Sequence, residues 1–223
     1  TGLRRCILEG AEKFGWKTAL EKARQYNRSN NHVKRGAGMA ACLWIAGGGG
    51  QPSTVVIRLF RDGSVNLNMG ASDIGTGTKT IMALVAAEEL GVRPEVIQIE
   101  HADTGTTQYA TPSGGSKTVP TEAPTVRNAA VEVKRRMLEM ASEDLGVPAE
   151  DLDYTGAEIV SRSSKDKRIR VTEVKGLKKR GVVVGVGYRG PNPAGKTVNP
   201  FGAQFCELEV NLKTGEILIL RFV

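Results

Sequence analysis

Apolar positions at the start of the chain recur at helical spacing. Leu3, Ile7, Leu8, Ala11 and Phe14 share one face, and a more charged helical stretch follows from Trp16 to Tyr26, predicting a helical hairpin. Residues 27–31 are polar and turn-prone. The run 39–46 is apolar without alternation and predicts a buried strand ending in the four glycines 47–50, which we read as a surface turn rather than a ligand loop. Two alternating segments, 55–60 and 65–69, flank Arg61-Asp62-Gly63-Ser64 and predict a β-hairpin. Residues 81–90 predict a helix with Ile81, Leu84 and Val85 on its apolar face and Gly91 as its left-handed stop, before a strand over 96–99.

The second half follows the same logic. A long helix is expected to begin near Thr121-Glu122-Ala123-Pro124, with the proline in its first turn, and to end at Leu145 before Gly146. Val126, Ala129, Ala130, Val133, Met137 and Ala141 form its apolar face, while Arg127, Lys134, Arg135 and Arg136 are read as a solvated face. Residues 153–171 predict a hairpin with a charged turn at 163–167, and 182–188 an apolar strand. A polar, proline-rich connection over 189–199 precedes a last hairpin, in which Phe205, Leu208 and Val210 lead through the turn Lys213-Thr214-Gly215-Glu216 to the strand 217–222. The expected fold class is α+β, with mixed sheets, β-hairpins and two long helices.

Composition narrows the picture slightly. With 223 residues and 40% hydrophobic content the chain can bury a substantial core, and its 27 glycines exceed the usual share of about 7%. The net charge of +7 suits a nucleic acid, an anionic surface or an anionic cofactor. A nucleic-acid partner has only that charge behind it, for the chain shows neither an RNP-like aromatic motif nor a helix-turn-helix signature. The longest apolar run is far too short to span a membrane, so we expect no membrane partner and a cytoplasmic location, with the periplasm open to a parent protein. Cys6, Cys42 and Cys206 lack metal-ligand spacing and are expected to be reduced, mostly buried thiols; no metal site is expected from this chain.

Two segments are not explained by packing. Asp73-Ile74-Gly75-Thr76-Gly77-Thr78-Lys79-Thr80 joins a strand to a helix and offers backbone amides, hydroxyls and an ammonium, an anion-binding arrangement. It has neither the Walker spacing nor GxGxxG, and simple helix capping would also explain it. Thr111-Pro112-Ser113-Gly114-Gly115-Ser116-Lys117-Thr118 repeats the design before the second helix. Together the loops could clamp one phosphate-bearing ligand, with Lys79 or Lys117 neutralising its charge; as plain helix entries they would share only turn chemistry. His32 and His101 suit structural roles better than catalysis, Asp103 could orient a loop, and no catalytic residue is assigned.

At these loops the chain resembles the large, molybdopterin-binding subunits of molybdenum hydroxylases, the xanthine dehydrogenase/aldehyde oxidase family. The likeness rests on the order of Gly36-Ala37-Gly38-Met39-Ala40, Arg61-Asp62-Gly63-Ser64-Val65, the 73–80 loop, Ala86-Ala87-Glu88-Glu89-Leu90-Gly91-Val92, Asp103-Thr104 and Gly114-Gly115-Ser116-Lys117-Thr118. Leu208-Glu209-Val210 with Thr214-Gly215-Glu216-Ile217 resembles the family's later hairpin. The resemblance implies the molybdenum cofactor, a molybdopterin open to the cytosine dinucleotide form, bound by Gly75, Thr76, Gly77, Thr78 and Thr80 from one side and Gly115, Ser116, Lys117 and Thr118 from the other. Thr76 stands where the family usually has glutamine, so a side-chain amide contact is lost. Iron–sulfur and FAD groups would belong to partner modules. The family's catalytic glutamate lies beyond the last hairpin, so the chain is expected to be inactive alone. We therefore expect a helical segment over 1–35 and a molybdopterin-binding domain over 36–223, incomplete at its C-terminus. The parent would oxidise aldehydes or N-heterocycles with water as oxygen source; the alternative is a non-catalytic binding or assembly subunit completed by partner chains.

Overall fold

The computed structural model describes all residues except 1, 45, 47–49, 191, 193 and 196–198. The expected glycine loop at 47–50 therefore lies almost wholly outside the described residues. In chain order the elements are α1 (Gly2–Phe14), α2 (Trp16–Ser29), β1 (Val33–Leu43), β2 (Thr54–Phe60), β3 (Val65–Met69), α3 (Thr78–Leu90), β4 (Ile97–His101), α4 (Thr118–Leu145), β5 (Leu152–Tyr154), β6 (Glu158–Ser161), β7 (Arg168–Arg170), α5 (Lys175–Arg180), β8 (Val182–Tyr188), β9 (Phe201–Asn211) and β10 (Ile217–Phe222). The mixture of helices and three sheets is the α+β class expected. They form two compact units, one of residues 1–45 with 199–223 and one of residues 46–198.

The first unit is a three-stranded antiparallel sheet, ordered β1-β9-β10, with α1 packed against β9 and α2 against β1. Strand β1 pairs with β9 from Val33↔Asn211 to Leu43↔Phe201. That ladder runs across the boundary expected at 35/36 and draws the last hairpin into the unit of the N-terminal helices. Phe14, Trp16 and Phe205 make its core, their ring centroids 5.6 to 6.1 Å apart. Arg35 lies 4.0 Å over the Tyr26 ring and ion-pairs with Glu209 at 2.8 Å. The expected burial of 39–46 fails for most of the run: residues 39–44 are exposed, and among the described residues of the run only Ala46 is buried.

The second unit centres on a four-stranded mixed sheet, ordered β4-β3-β2-β8. The β2–β3 hairpin is antiparallel, whereas β3 and β4 run parallel because α3 carries the chain back between them. Alternating residues Val55, Ile57, Leu59, Val65 and Leu67 meet Val126, Ala130, Val133 and Met137 of α4 in one core, all at most 1% exposed. The six-residue apolar face expected for α4 is buried entirely. On α3 the buried face is Met82, Ala86 and Leu90, while Leu84 is 50% exposed and Ile81 and Val85 are half-buried. Residues 81–87 are almost continuously apolar, so spacing could not choose the face; packing on the sheet and α4 does. Residues 152–170 form a three-stranded meander, β5-β6-β7, instead of one hairpin.

Helix α4 begins at Thr118, earlier than expected, which places Pro124 inside it. Proline has no N–H to offer the Pro120 carbonyl. The Arg189 guanidinium donates to that oxygen instead, at 3.3 Å. Contact between α4 and β8 is unusually close. A Cβ added at Gly187 would lie 2.0 Å from the Thr125 carbonyl oxygen, and one at Gly185 2.2 Å from that of Ala129.

Candidate cofactor-binding cleft

Both glycine-hydroxyl loops lie where a chain segment enters a helix of the second unit. The first leaves β3 and enters α3. Its organiser is Asp73, whose Oδ1 accepts the amides of Gly75 at 2.9 Å and Gly77 at 3.2 Å and whose Oδ2 accepts that of Lys79 at 3.2 Å. These bonds, led by that from the Lys79 amide, hold the carboxyl below the usual range. Gly75 and Gly77 take φ values of +94° and +79°, which a side chain would strain. The Thr76 and Thr78 hydroxyls lie 3.3 Å apart.

The second loop enters α4 through two left-handed residues in succession, Gly115 at φ +59° and Ser116 at φ +52°. For serine that conformation is uncommon, and such outliers gather at ligand clamps. Ser72 and Ser113 place their hydroxyls 3.4 Å apart, joining the loops at their bases. Between the loops lies a cavity of about 410 Å³, lined by Ile74, Thr76 and Thr78 on one side and by Ser113, Gly114, Ser116, Thr118 and Val119 on the other. Five of these residues carry hydroxyls, each able to donate and accept, and none is charged. The cleft therefore suits an oxygen- and nitrogen-rich ligand that exchanges many neutral hydrogen bonds.

A family model of the molybdopterin cofactor-binding domain matches residues 9–223, nearly the whole chain. The chain belongs to the molybdopterin cofactor-binding domain family. Among curated relatives it is similar to the carbon monoxide dehydrogenase large chain of Hydrogenophaga pseudoflava, with 26% identity over 97% of this chain and 28% of the relative. It is likewise similar to subunit gamma of the 6-hydroxypseudooxynicotine dehydrogenase complex of Paenarthrobacter nicotinovorans, with 27% identity over 96% of this chain and 27% of the relative. Its fold matches the reconstituted CO dehydrogenase of Oligotropha carboxidovorans with a TM-score of 0.84 and 23% identity, over 99% of this chain and 30% of that one. The chain thus spans under a third of the length of these relatives.

For a molybdopterin-binding domain the donor set fits. Added Cβ atoms at Gly75, Gly77, Gly114 and Gly115 would meet nothing within 4 Å, so the loop backbones face open space rather than packed protein. Thr76, Thr78, Ser116 and Thr118, four of the residues expected at the site, line the cavity together. The others are placed differently. The amides of Gly75 and Gly77 are engaged by Asp73, Thr80 is an exposed residue inside α3, and Gly115 and Lys117 flank the cavity without lining it. Lys79 does not line it either. Ile74, Ser113, Gly114 and Val119 were not singled out, although the first three lie within the two segments that the sequence marked.

Other candidate groups have structural roles. Arg127 and Lys134 pair with Glu89 at 3.1 and 2.9 Å, and Arg135 and Arg136 pair with Glu132 at 2.8 and 2.7 Å, as a solvated helix face should. The Asp103 carboxylate accepts the Gly105 amide at 2.8 Å, and its carbonyl accepts the Thr106 and Thr107 amides, so Asp103 does orient its loop. Cys6 and Cys206 are half-buried and Cys42 is exposed, which corrects the expectation of mostly buried thiols; all three are free. Glu122 was not anticipated: it is 1% exposed in α4 with both carboxyl oxygens 2.7 Å from the Ser53 hydroxyl, and burial pushes its pKa up. Among the described residues no helix is long and apolar enough to cross a membrane.

Proposed function

We propose that this chain forms one wall of the molybdopterin cleft in a larger oxidoreductase of the molybdenum hydroxylase type. The observation that carries the reading is the convergence of two sequence-distant glycine-hydroxyl loops on one cavity. Thr76 and Thr78 would hold the cofactor from the α3 side, Ser113, Ser116 and Thr118 from the α4 side, with the open glycines admitting it close to the backbone. The cofactor, when bound, supplies the redox chemistry. The residues of this chain bind and orient it, and none is assigned a proton-transfer step. Relatives named as dehydrogenases and matching nearly the whole chain support this role. For the parent we infer oxidation of an aldehyde or N-heterocycle with water as oxygen source, iron–sulfur and FAD partner modules, a cytosine dinucleotide form of the pterin, and a cytoplasmic or periplasmic site of action.

The rival reading is a non-catalytic cofactor-binding or assembly subunit completed by partner chains. Metal analysis and pterin fluorescence of the protein purified with its native partners decide first: molybdenum and pterin in equal amounts are expected, and absence of both refutes the cofactor reading. A Thr76→Val, Ser116→Ala double variant removes two hydroxyls and should lower cofactor retention about tenfold, as expected for hydrogen bonds worth about 0.5–1.5 kcal/mol each. The metal-loaded chain alone should oxidise no aldehyde or purine; turnover would show that the active site is complete within it.

A further inference from the structure

The two loops of the cleft share a composition but not a state. At the 114–118 loop no side-chain carboxylate is present, and the residue before α4, Lys117, makes no capping bond with its side chain. At the 73–80 loop the cradle of amides before α3 is filled from within: one carboxylate accepts three backbone N–H groups from residues 75, 77 and 79. Amides at a helix entry are what an incoming phosphate would seek, and the helix dipole favours negative charge at that end. We propose that Asp73 is a positioning residue of the cleft, holding the 75–79 backbone in its curve and, as a resident anion, closing the entry of α3 to the anionic group of a ligand.

This rests on the reading of the two loops as one cofactor cleft and adds a polarity to it. The α3 side is left to present the neutral hydroxyls of Thr76 and Thr78, and the anionic end of the cofactor is excluded from that side. The loop is also preformed, because its two left-handed glycines are held by a partner in the same chain before any ligand arrives. Lys79 at the start of α3 is the charged group that acts on Asp73, and it favours the ionised form. Closure should therefore persist at neutral pH and open as acid protonates the carboxylate, below the ordinary range of an aspartate.

The test uses amide spectra of the 223-residue chain titrated with inorganic pyrophosphate, in wild type, Asp73→Asn and Asp73→Ala. In wild type at neutral pH the amides of Gly75, Gly77 and Lys79 should not respond. In Asp73→Asn, which keeps a hydrogen-bond acceptor but no charge, the Lys79 amide should respond, with apparent affinity at α3 raised about two- to fivefold, the range expected for one charge at a helix N-terminus. Asp73→Ala should open all three amides, and circular dichroism of both variants checks that α3 persists. Acidified wild type should follow Asp73→Asn. A wild-type response at those amides at neutral pH overturns the proposal, as does silence of the α3 amides in both variants. If the α3 amides open in the variants while residues 114–118 never respond, the role of Asp73 stands and the cofactor reading of the second loop fails, so the two failures are distinguishable.

Discussion

At the scale of single residues the molecule is governed by where a few polar groups find partners. Asp73 and Ser116 mark the two loops in different ways, one by capping amides and the other by tolerating a left-handed backbone. Glu122 is the opposite case, a carboxyl buried with a lone hydroxyl partner and no cation within ion-pairing distance among the described residues. Because its pKa is raised in the folded state, the stabilisation associated with its protonated form is fully present below the unfolded value near 4.5 and is lost as the pH rises through the folded value. Glu122→Gln keeps the shape and the acceptor for Ser53 without a titrating charge. Denaturant unfolding should give a variant that gains stability relative to wild type as pH climbs through that window and holds the gain above it; parallel curves from pH 4 to 8 would show that Glu122 does not titrate there. Its burial was not legible in the sequence, since Glu122 sits in a stretch that reads as an ordinary helix start.

At the scale of elements, periodicity sufficed wherever one face alone was apolar. The α4 face was readable residue by residue, as were the β2–β3 hairpin around its Asp-Gly turn and the extent of β8. It failed where apolar residues ran without interruption, in α3 and β1, because a continuous run has no phase. It also failed at the start of α4, where Pro124 suggested a first turn and a distant arginine instead satisfies the carbonyl left without a donor. The packing of α4 on β8 yields a sharp prediction. Gly187→Ala places a methyl carbon about where the Thr125 carbonyl stands, 2.0 Å away, and should cost about 1–3 kcal/mol of unfolding free energy as the helix shifts. Gly38→Ala in β1, with nothing within 4 Å of the added carbon, is the control and should be close to neutral. Equal denaturation midpoints for the two variants would contradict the close approach.

At the scale of the whole molecule the two units differ in how completely they bury their apolar residues. The second encloses its core between sheet and helices, whereas β10 of the first lies at a sheet edge with Ile217, Leu218, Ile219, Leu220 and Phe222 between 39% and 63% exposed. The charged residue on that strand, Arg221, is turned inward over the Phe14 ring, leaving the edge without the lysine or proline that usually guards one. The isolated chain should therefore associate on concentration, and Leu218→Lys with Leu220→Lys should suppress this in light scattering; unchanged association would place the sticky surface elsewhere. The sequence by itself determined the local units: helices with a single apolar face, hairpins with a glycine turn, and two loops rich in glycine and hydroxyls, all products of contacts between near neighbours in the chain. Only the tertiary structure decided that the C-terminal hairpin joins the N-terminal helices, that the two loops face one cavity, and that an aspartate occupies one of them. Those outcomes depend on pairings such as Val33 with Asn211 and on the geometry of a closed turn, and no spacing of residue types encodes either.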